Sequence, residues 1–376
     1  MEHYLDNSAT TRVCPEAAQA ALSAMLETYG NPSSTYTKGR EARALLDASR
    51  KKVSDALGCQ PGELVFTSCG SESDNWAILS GAEAMQRRGR HVISSAVEHD
   101  AVRKPLEELE RRGFEVTLLR PDRTGAIPPE AVEAALRPDT ILVSLMLVNN
   151  ETGAVTDLSA VSRALKAASS PALLHVDAVQ AFGKLDFTPK SLGADLISVS
   201  GHKIHAPKGV GALYIRKGLR LKPYLMGGAQ EEGRRAGTEA MPQIAAFGEA
   251  ARIAKAGLKE NAAQMAALKA RTIERLHAAI PELSWIDSAA PHILSISLPG
   301  WRSEVLMNFL EAREIYVSRS SACKKGARSH VLEAIGMDAK HIDGALRIGF
   351  SRFSTEEDVE ALCLALKDAH DTLAHR

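Results

Sequence analysis

A lysine stands just past an apolar run in Ala194-Asp195-Leu196-Ile197-Ser198-Val199-Ser200-Gly201-His202-Lys203, and Pro- and Gly-containing sequence follows it. Lysine forms imines with carbonyl cofactors, and burial lowers its pKa enough to free the amine. Upstream, a second apolar run, Leu173-Leu174-His175-Val176, ends on a carboxylate, Asp177. The pair meets the needs of a pyridoxal phosphate (PLP) enzyme: an amine that carries the cofactor, and an anion that keeps the pyridine nitrogen protonated.

Further residues could complete such a site. Thr67-Ser68-Cys69-Gly70-Ser71 runs from a strand into a helix. Its small residues let backbone N–H groups approach an anion, and Ser71 adds a hydroxyl; an ordinary N-cap turn is the bland alternative. No lysine follows in the manner of a nucleotide-binding loop. His99 follows another strand, where it can stack on a planar cofactor and move protons, or be a polar loop residue. No partner at helical spacing supports a metal site. Asn150 in Asn149-Asn150-Glu151 and Gln180 in Asp177-Ala178-Val179-Gln180 would point into the crevice at the strand ends. Cys363 reads as a small buried hydrophobe. Cys323 lies among Ser, Lys, Gly and Arg, where Arg319, Lys324 and Lys325 favour the thiolate, so it is the candidate nucleophile. Arg347 sits in a strand, either to clamp a substrate carboxylate or to pair internally, with Glu304 as the nearest choice.

The elements that must position these residues follow from periodicity. Short apolar runs at 64–67, 91–95, 114–119, 140–145, 173–176, 195–199 and 211–215 alternate with amphipathic stretches such as 129–136 and 158–168. That pattern predicts an α/β fold with a mostly parallel seven-stranded sheet, buried on both faces. A long helical stretch, 244–280, is interrupted only at Gly248 and Gly257. It leads to a smaller α+β unit with strands at 293–297 and 345–350 and helices at 303–313 and 356–373. The expected division is a large cofactor-binding domain, 15–255, and a small domain, 1–14 with 256–376, that carries Cys323.

Composition narrows the class. The 46 basic and 46 acidic residues cancel, so there is no electrostatic reason to bind nucleic acid or a membrane surface. No apolar run is long enough to span a bilayer, and the opening residues lack a secretory pattern. Five cysteines, an odd number with no CxxC pair, argue against a disulfide framework and for a cytoplasmic location.

Taken in order, these motifs resemble the cysteine desulfurases of the nitrogen-fixation and iron–sulfur-assembly class, fold type I PLP enzymes of the class V aminotransferase group. The likeness runs through Leu5-Asp6-Asn7-Ser8-Ala9-Thr10-Thr11, Gly30-Asn31-Pro32-Ser33-Ser34, the segment ending in Asp74-Asn75, Glu98-His99, Val148-Asn149-Asn150-Glu151, His175-Val176-Asp177-Ala178, Ser200-Gly201-His202-Lys203, Arg235-Ala236-Gly237-Thr238 and Ser321-Ala322-Cys323. The resemblance implies that Lys203 carries PLP, Asp177 pairs with its ring nitrogen and His99 stacks on the ring. It implies that Gln180 and Asn150 contact the phenolic oxygen, and that Gly70, Ser71, Ser200 and His202 hold the phosphate. Thr238 would reach the phosphate of a neighbouring subunit in a homodimer. Arg347, Asn150 and Asn31 would bind the L-cysteine substrate, with Arg352 a second choice for its carboxylate. Cys323 would take the sulfur as a persulfide and pass it to a scaffold or other acceptor protein.

The chain departs from the family pattern at Arg319 and Ser320, at Tyr36, His205, Ala206 and Glu232, and in a shorter stretch after Cys323. Alternatives within the same chemistry are a selenocysteine lyase, another C–S lyase or an aminotransferase. A non-catalytic sulfur-relay subunit on the same fold is the alternative outside it.

Overall fold

The computed structural model describes residues 2–319 and 328–373. Seven strands form one sheet: β1 Leu64–Thr67, β2 His91–Ser95, β3 Glu115–Leu119, β4 Thr140–Met146, β5 Leu173–Asp177, β6 Leu196–Ser200 and β7 Gly211–Ile215. Their spatial order is β1-β7-β6-β5-β4-β2-β3, and only β7 runs antiparallel to its neighbours. Six strands are buried along their whole length, whereas the edge strand β3 is partly exposed. The predicted α/β class and mostly parallel sheet are therefore what the chain forms.

Side chains alternate between the two faces. Val92, Leu142, Leu196 and Leu213 meet Trp76 and Ile78 of α3 (Gly70–Met85) and Val102 and Leu106 of α4 (Asp100–Arg111). Ile93, Val143, Ile197 and Ala212 belong to the opposite core. That core includes α6 (Met241–Ala256), on which α1 (Pro15–Leu26) and α2 (Thr37–Leu57) pack, and α5 (Leu158–Ala167). Phe247 of α6 meets Phe66 and Phe182 edge-on at 6.4 and 6.2 Å, contacts worth about 1 kcal/mol each beyond their burial. Gly257 separates α6 from α7 (Leu258–Ala279) as expected. Gly248 does not interrupt the helix. It lies inside α6, where a Cβ would come within 3.0 Å of Ser49 Cα on α2, so its role is close helix approach.

A second sheet holds β8 (Ile293–Ser297), β9 (Ser318–Arg319) and β10 (Ala345–Gly349), all antiparallel, with Ser284–Trp285 at its edge. Its core joins Leu294, Ile296, Leu346 and Ile348 to Leu306 and Leu310 of α8 (Ser303–Glu311) and to Leu362 and Leu366 of α10 (Glu356–Thr372). A short helix, α9 (His330–Ala334), completes this part. The N-terminal segment ties the two sheets together. His3–Tyr4 pairs with Ile315–Tyr316, and Gly349 N donates to Leu5 O. Gly349 leaves no room for a side chain, since a Cβ would lie 2.6 Å from Ser8 N. A few residues on, Thr11 N donates to His202 O and Cys14 N to His205 O.

One buried ion pair fixes the segment that precedes Thr238. Arg50 of α2 forks onto Glu231 at 2.8 and 2.6 Å, and Phe66 N donates to the same carboxylate. Glu231 and Glu232 both take positive φ, 49° and 59°, a conformation that costs about 1 kcal/mol or more per residue and persists only where its surroundings hold it. Glu231→Ala strands the Arg50 charge, so it is expected to cost about 3 kcal/mol. A thermal or denaturant midpoint unchanged from wild type contradicts this.

Candidate active site

The sheet delivers its chemistry at the carboxyl ends of the parallel strands, where α/β sheets bind ligands. β5 pairs with β6 so that Asp177 lies beside Ser198. Ser200 ends β6, and Lys203 follows one short turn later. Both Asp177 and Lys203 line a cavity of about 470 Å³. Lys203 Nζ donates to Ser8 O at 2.6 Å and to Ala9 O at 2.8 Å. The N-terminal segment thus positions the amine through two backbone carbonyls.

Asp177 accepts from Val179 N at 2.9 Å. Burial raises its carboxyl, while that hydrogen bond, His99 and Lys203 oppose the rise. Behind it, His175 sits between Ser144 Oγ (2.8 Å) and Ser198 Oγ (3.0 Å), with Asp74 Oδ1 at 3.6 Å. Burial pushes His175 down to about 3 and Asp74 well up. His175 is therefore neutral beside Asp74. Asp177 lines the cavity as the candidate partner for a cationic ring nitrogen.

Another group of residues in the cavity suits an anion. Gly70 and Ser71 open α3, and the N-cap Cys69 gives no side-chain hydrogen bond, so the first N–H groups lack an internal partner. A Cβ on Gly70 would come within 2.7 Å of Val179 Cγ2. Ser200 Oγ is buried without a hydrogen-bond partner. His202 Nδ1 lies 3.2 Å from Thr10 Oγ1, and burial pushes this imidazole down to about 4. Gln180 donates to Ser8 O, and its Oε1 is buried without a partner. These orphaned donors and acceptors, with Lys203 and Asp177, form a set that PLP fits: an anion cradle, a ring slot and an amine.

His99 caps α4, and its Nδ1 accepts from Ala101 N at 3.1 Å, which leaves the proton of the neutral ring on Nε2. Arg347 and Asn150 also line the cavity. Arg347 does not pair with Glu304, which instead meets Arg319 at 2.8 Å. Its partners are Asp6 Oδ1 (3.0 Å), Ser318 Oγ (2.8 Å) and Asn150 O (2.9 Å). The N-terminal segment reaches Arg347 because residues 5–8 pack against Gly349 at the end of β10.

Two expected residues lie elsewhere. Thr238 is exposed and does not line the cavity; the neighbouring Arg235 is anchored on Glu72 at 2.9 and 3.0 Å. Asn31 is exposed, its Oδ1 accepts from Ser33 N in a local turn, and within this chain it does not line the cavity. Cys323 lies outside the described residues. Its flanks do approach the site, since Arg328 and His330 line the cavity. Sequence reasoning gave no site role to Glu151, Asp74, Ser8, Arg103 or His330, all of which line it. The first three stand inside motifs that were noticed as strings rather than as individual groups.

The family model described as aminotransferase class-V matches residues 3–362. A protein of Methanosarcina thermophila named cysteine desulfurase IscS is 42% identical over 362 residues, covering 95% of this chain and 89% of that one. Cysteine desulfurase 2 of Trichormus variabilis is 41% identical, covering 95% and 90%. Among solved structures, one titled NifS-like protein superposes with a TM-score of 0.94 at 37% identity, covering 99% of this chain and all of that one.

The cradle can be tested directly. Gly70→Val forces a branched side chain against Val179, so PLP affinity is expected to fall at least tenfold, about 1.4 kcal/mol. Absorbance titration of the purified protein with PLP measures it, with circular dichroism as the folding control. Unchanged affinity contradicts the placement.

Proposed function

The chain belongs to the aminotransferase class-V family, and from that membership we propose that it is a PLP-dependent cysteine desulfurase. It converts L-cysteine to L-alanine and takes the sulfur as a persulfide on Cys323. The observation that carries the reading is the cavity in which Lys203, Asp177 and Arg347 face one space from two different sheets.

In this reading Lys203 holds PLP through Nζ, Asp177 faces the ring nitrogen, and His99 covers the ring. Gln180 and Asn150 serve the phenolic oxygen, while Gly70, Ser71, Ser200 and His202 hold the phosphate. When bound, PLP supplies an electron sink for the negative charge left as the substrate Cα loses its proton. Arg347 fixes the substrate carboxylate and so orients the substrate in the cavity. His99 Nε2 carries a proton toward the same space. The Cys323 thiolate attacks the substrate sulfur: an S–S bond forms, the C–S bond breaks, and the electron pair stays with carbon. Protonation of that carbon gives alanine, so one thiol and one cysteine become one persulfide and one alanine. Lys324, Lys325 and Arg319, close to Cys323 in sequence, favour the thiolate by charge.

The exposed position of Thr238, beside the anchored Arg235, supports its reaching a partner's phosphate in a homodimer. Separate cores for the two sheets support the division into 15–255 and 1–14 with 256–376. Among the described residues no helix is long and apolar enough to cross a membrane, and the free Cys14, Cys59, Cys69 and Cys363 favour the cytoplasm. The sulfur goes on to an acceptor protein, in iron–sulfur cluster assembly, thio-cofactor synthesis or tRNA thiolation.

Alanine and sulfur released from L-cysteine give the test. Cys323→Ala is expected to lower turnover more than about 1000-fold while the PLP absorbance stays, as for loss of any covalent nucleophile. Retained activity in Cys323→Ala indicates a lyase instead and overturns the proposal.

A further inference from the structure

Arg347 has one positive charge to share, and two carboxyl groups already stand near it. Asp6 touches it directly at 3.0 Å. The second is Glu151, which follows Asn150, the residue whose carbonyl accepts from Arg347 Nη1 at 2.9 Å. Glu151 is 5% exposed and lines the same cavity. The hydrogen bond to its carboxyl comes from a serine hydroxyl, Ser329 Oγ at 2.5 Å, and Ser329 in turn caps α9 by accepting from Leu332 N.

An amino-acid substrate brings a third carboxylate to this guanidinium. One guanidinium does not offset three carboxylates, and like charges at close range drive one group to hold a proton. Asp6 is in direct contact with the cation and is the more exposed of the two resident groups. Glu151 is the one enclosed by protein with a neutral partner.

We propose that Glu151 takes up a proton from solvent when an α-amino-acid carboxylate docks on Arg347, so that substrate capture and protonation of Glu151 form one coupled event. The inference rests on the reading that Arg347 holds the substrate carboxylate. It makes Glu151 a positioning residue whose charge decides how well Arg347 attracts an anion. The only bond made is the O–H bond of the carboxyl, and that form can donate to the incoming carboxylate or to Ser329 Oγ.

The electrostatics run the same way. Burial already pushes Glu151 up to about 7, against the pull of Arg347 and the Ser329 hydrogen bond. A bound carboxylate pushes it higher. The bound state therefore holds the proton more tightly, and affinity for the substrate is full below about 7 and falls as pH rises through that value. The other charged or titratable groups facing this space are Arg347 on β10 and Asp6 on the N-terminal segment. Arg328 and His330 flank Ser329, Cys69 and Asp74 stand at the start of α3, His99, Asp100 and Arg103 at the start of α4, and Asp177, His202 and Lys203 at the carboxyl ends of β5 and β6. Burial lowers His330.

The test uses PLP-loaded enzyme and L-alanine as the ligand. Its dissociation constant is read from the cofactor absorbance between pH 6 and 8.5. Proton uptake is read by calorimetry in two buffers of different ionisation enthalpy. In wild type, a single proton with a midpoint near 7 weakens binding about 15-fold between pH 7 and 8.5. In Glu151→Gln, which keeps the shape and is always neutral, that component and its proton uptake are expected to vanish. Ser329→Ala, which keeps the carboxyl, is expected to retain the uptake. The same pH slope and uptake in wild type and Glu151→Gln overturn the proposal, as does a pH-independent weakening shared by both variants. Should Glu151→Gln fail to fold, a wild-type uptake profile with no step near neutrality overturns it alone. If L-alanine binds Arg347→Ala as tightly as wild type, the functional reading itself fails; binding that needs Arg347 without a Glu151-linked proton sinks only this inference.

Discussion

The pairing of β5 with β6 is the constraint on which the rest depends. These strands are parallel neighbours in the middle of the large sheet, with His175, Val176 and Asp177 opposite Leu196, Ile197 and Ser198. A slip by one residue would turn Asp177 to the other face and move Lys203 with its strand. The register is held by alternation, since Leu174 and Val176 belong to one core and Leu173 to the other. The apolar packing that stabilises the sheet therefore also sets the distance between an amine and a carboxylate. His175 belongs to the same arrangement: it points between β4 and β6 to two serine hydroxyls, and its neutrality keeps a competing cation away from Asp177.

A second constraint comes from a short segment far away in sequence. Residues 3–14 pair with Ile315–Tyr316, contact Gly349, hold Lys203 through Ser8 O and Ala9 O, and bond to the backbone at His202 and His205. Asp6 of this segment meets Arg347 and Ser318. One strand of chain thus touches both the amine and the guanidinium, the two groups between which a substrate would lie. A change in either sheet's position is felt at both. The strand ends alone do not make the site; the N-terminal segment closes its wall.

Most of the architecture was legible because it rests on local pattern. Apolar runs bounded by Gly and Pro gave the seven strands, and Gly257 gave the break between α6 and α7. Gly248 misled, since a glycine that permits helix approach looks the same in sequence as one that ends a helix. At the site, Lys203, Asp177, His99, Gln180 and Asn150 were legible because each follows a strand, where the sheet brings residues together. Glu151, Asp74 and Ser8 were not, because their importance comes from burial and from partners distant in sequence: Ser329 for Glu151, His175 for Asp74, Lys203 for Ser8. The internal partner of Arg347 was not legible for the same reason: it is Asp6, distant in sequence, whereas Glu304 of α8 meets Arg319. Asn31 was carried by a motif alone, and its turn with Ser33 shows how a motif can serve local structure.

The central claim is that one lysine among many forms the covalent link to the cofactor. Borohydride reduction of the PLP-loaded protein, followed by peptide mass mapping, tests it most directly. The account predicts a single pyridoxyl adduct on the peptide that contains Lys203. An adduct on Lys184, Lys208 or any other lysine, with Lys203 unmodified, would contradict it.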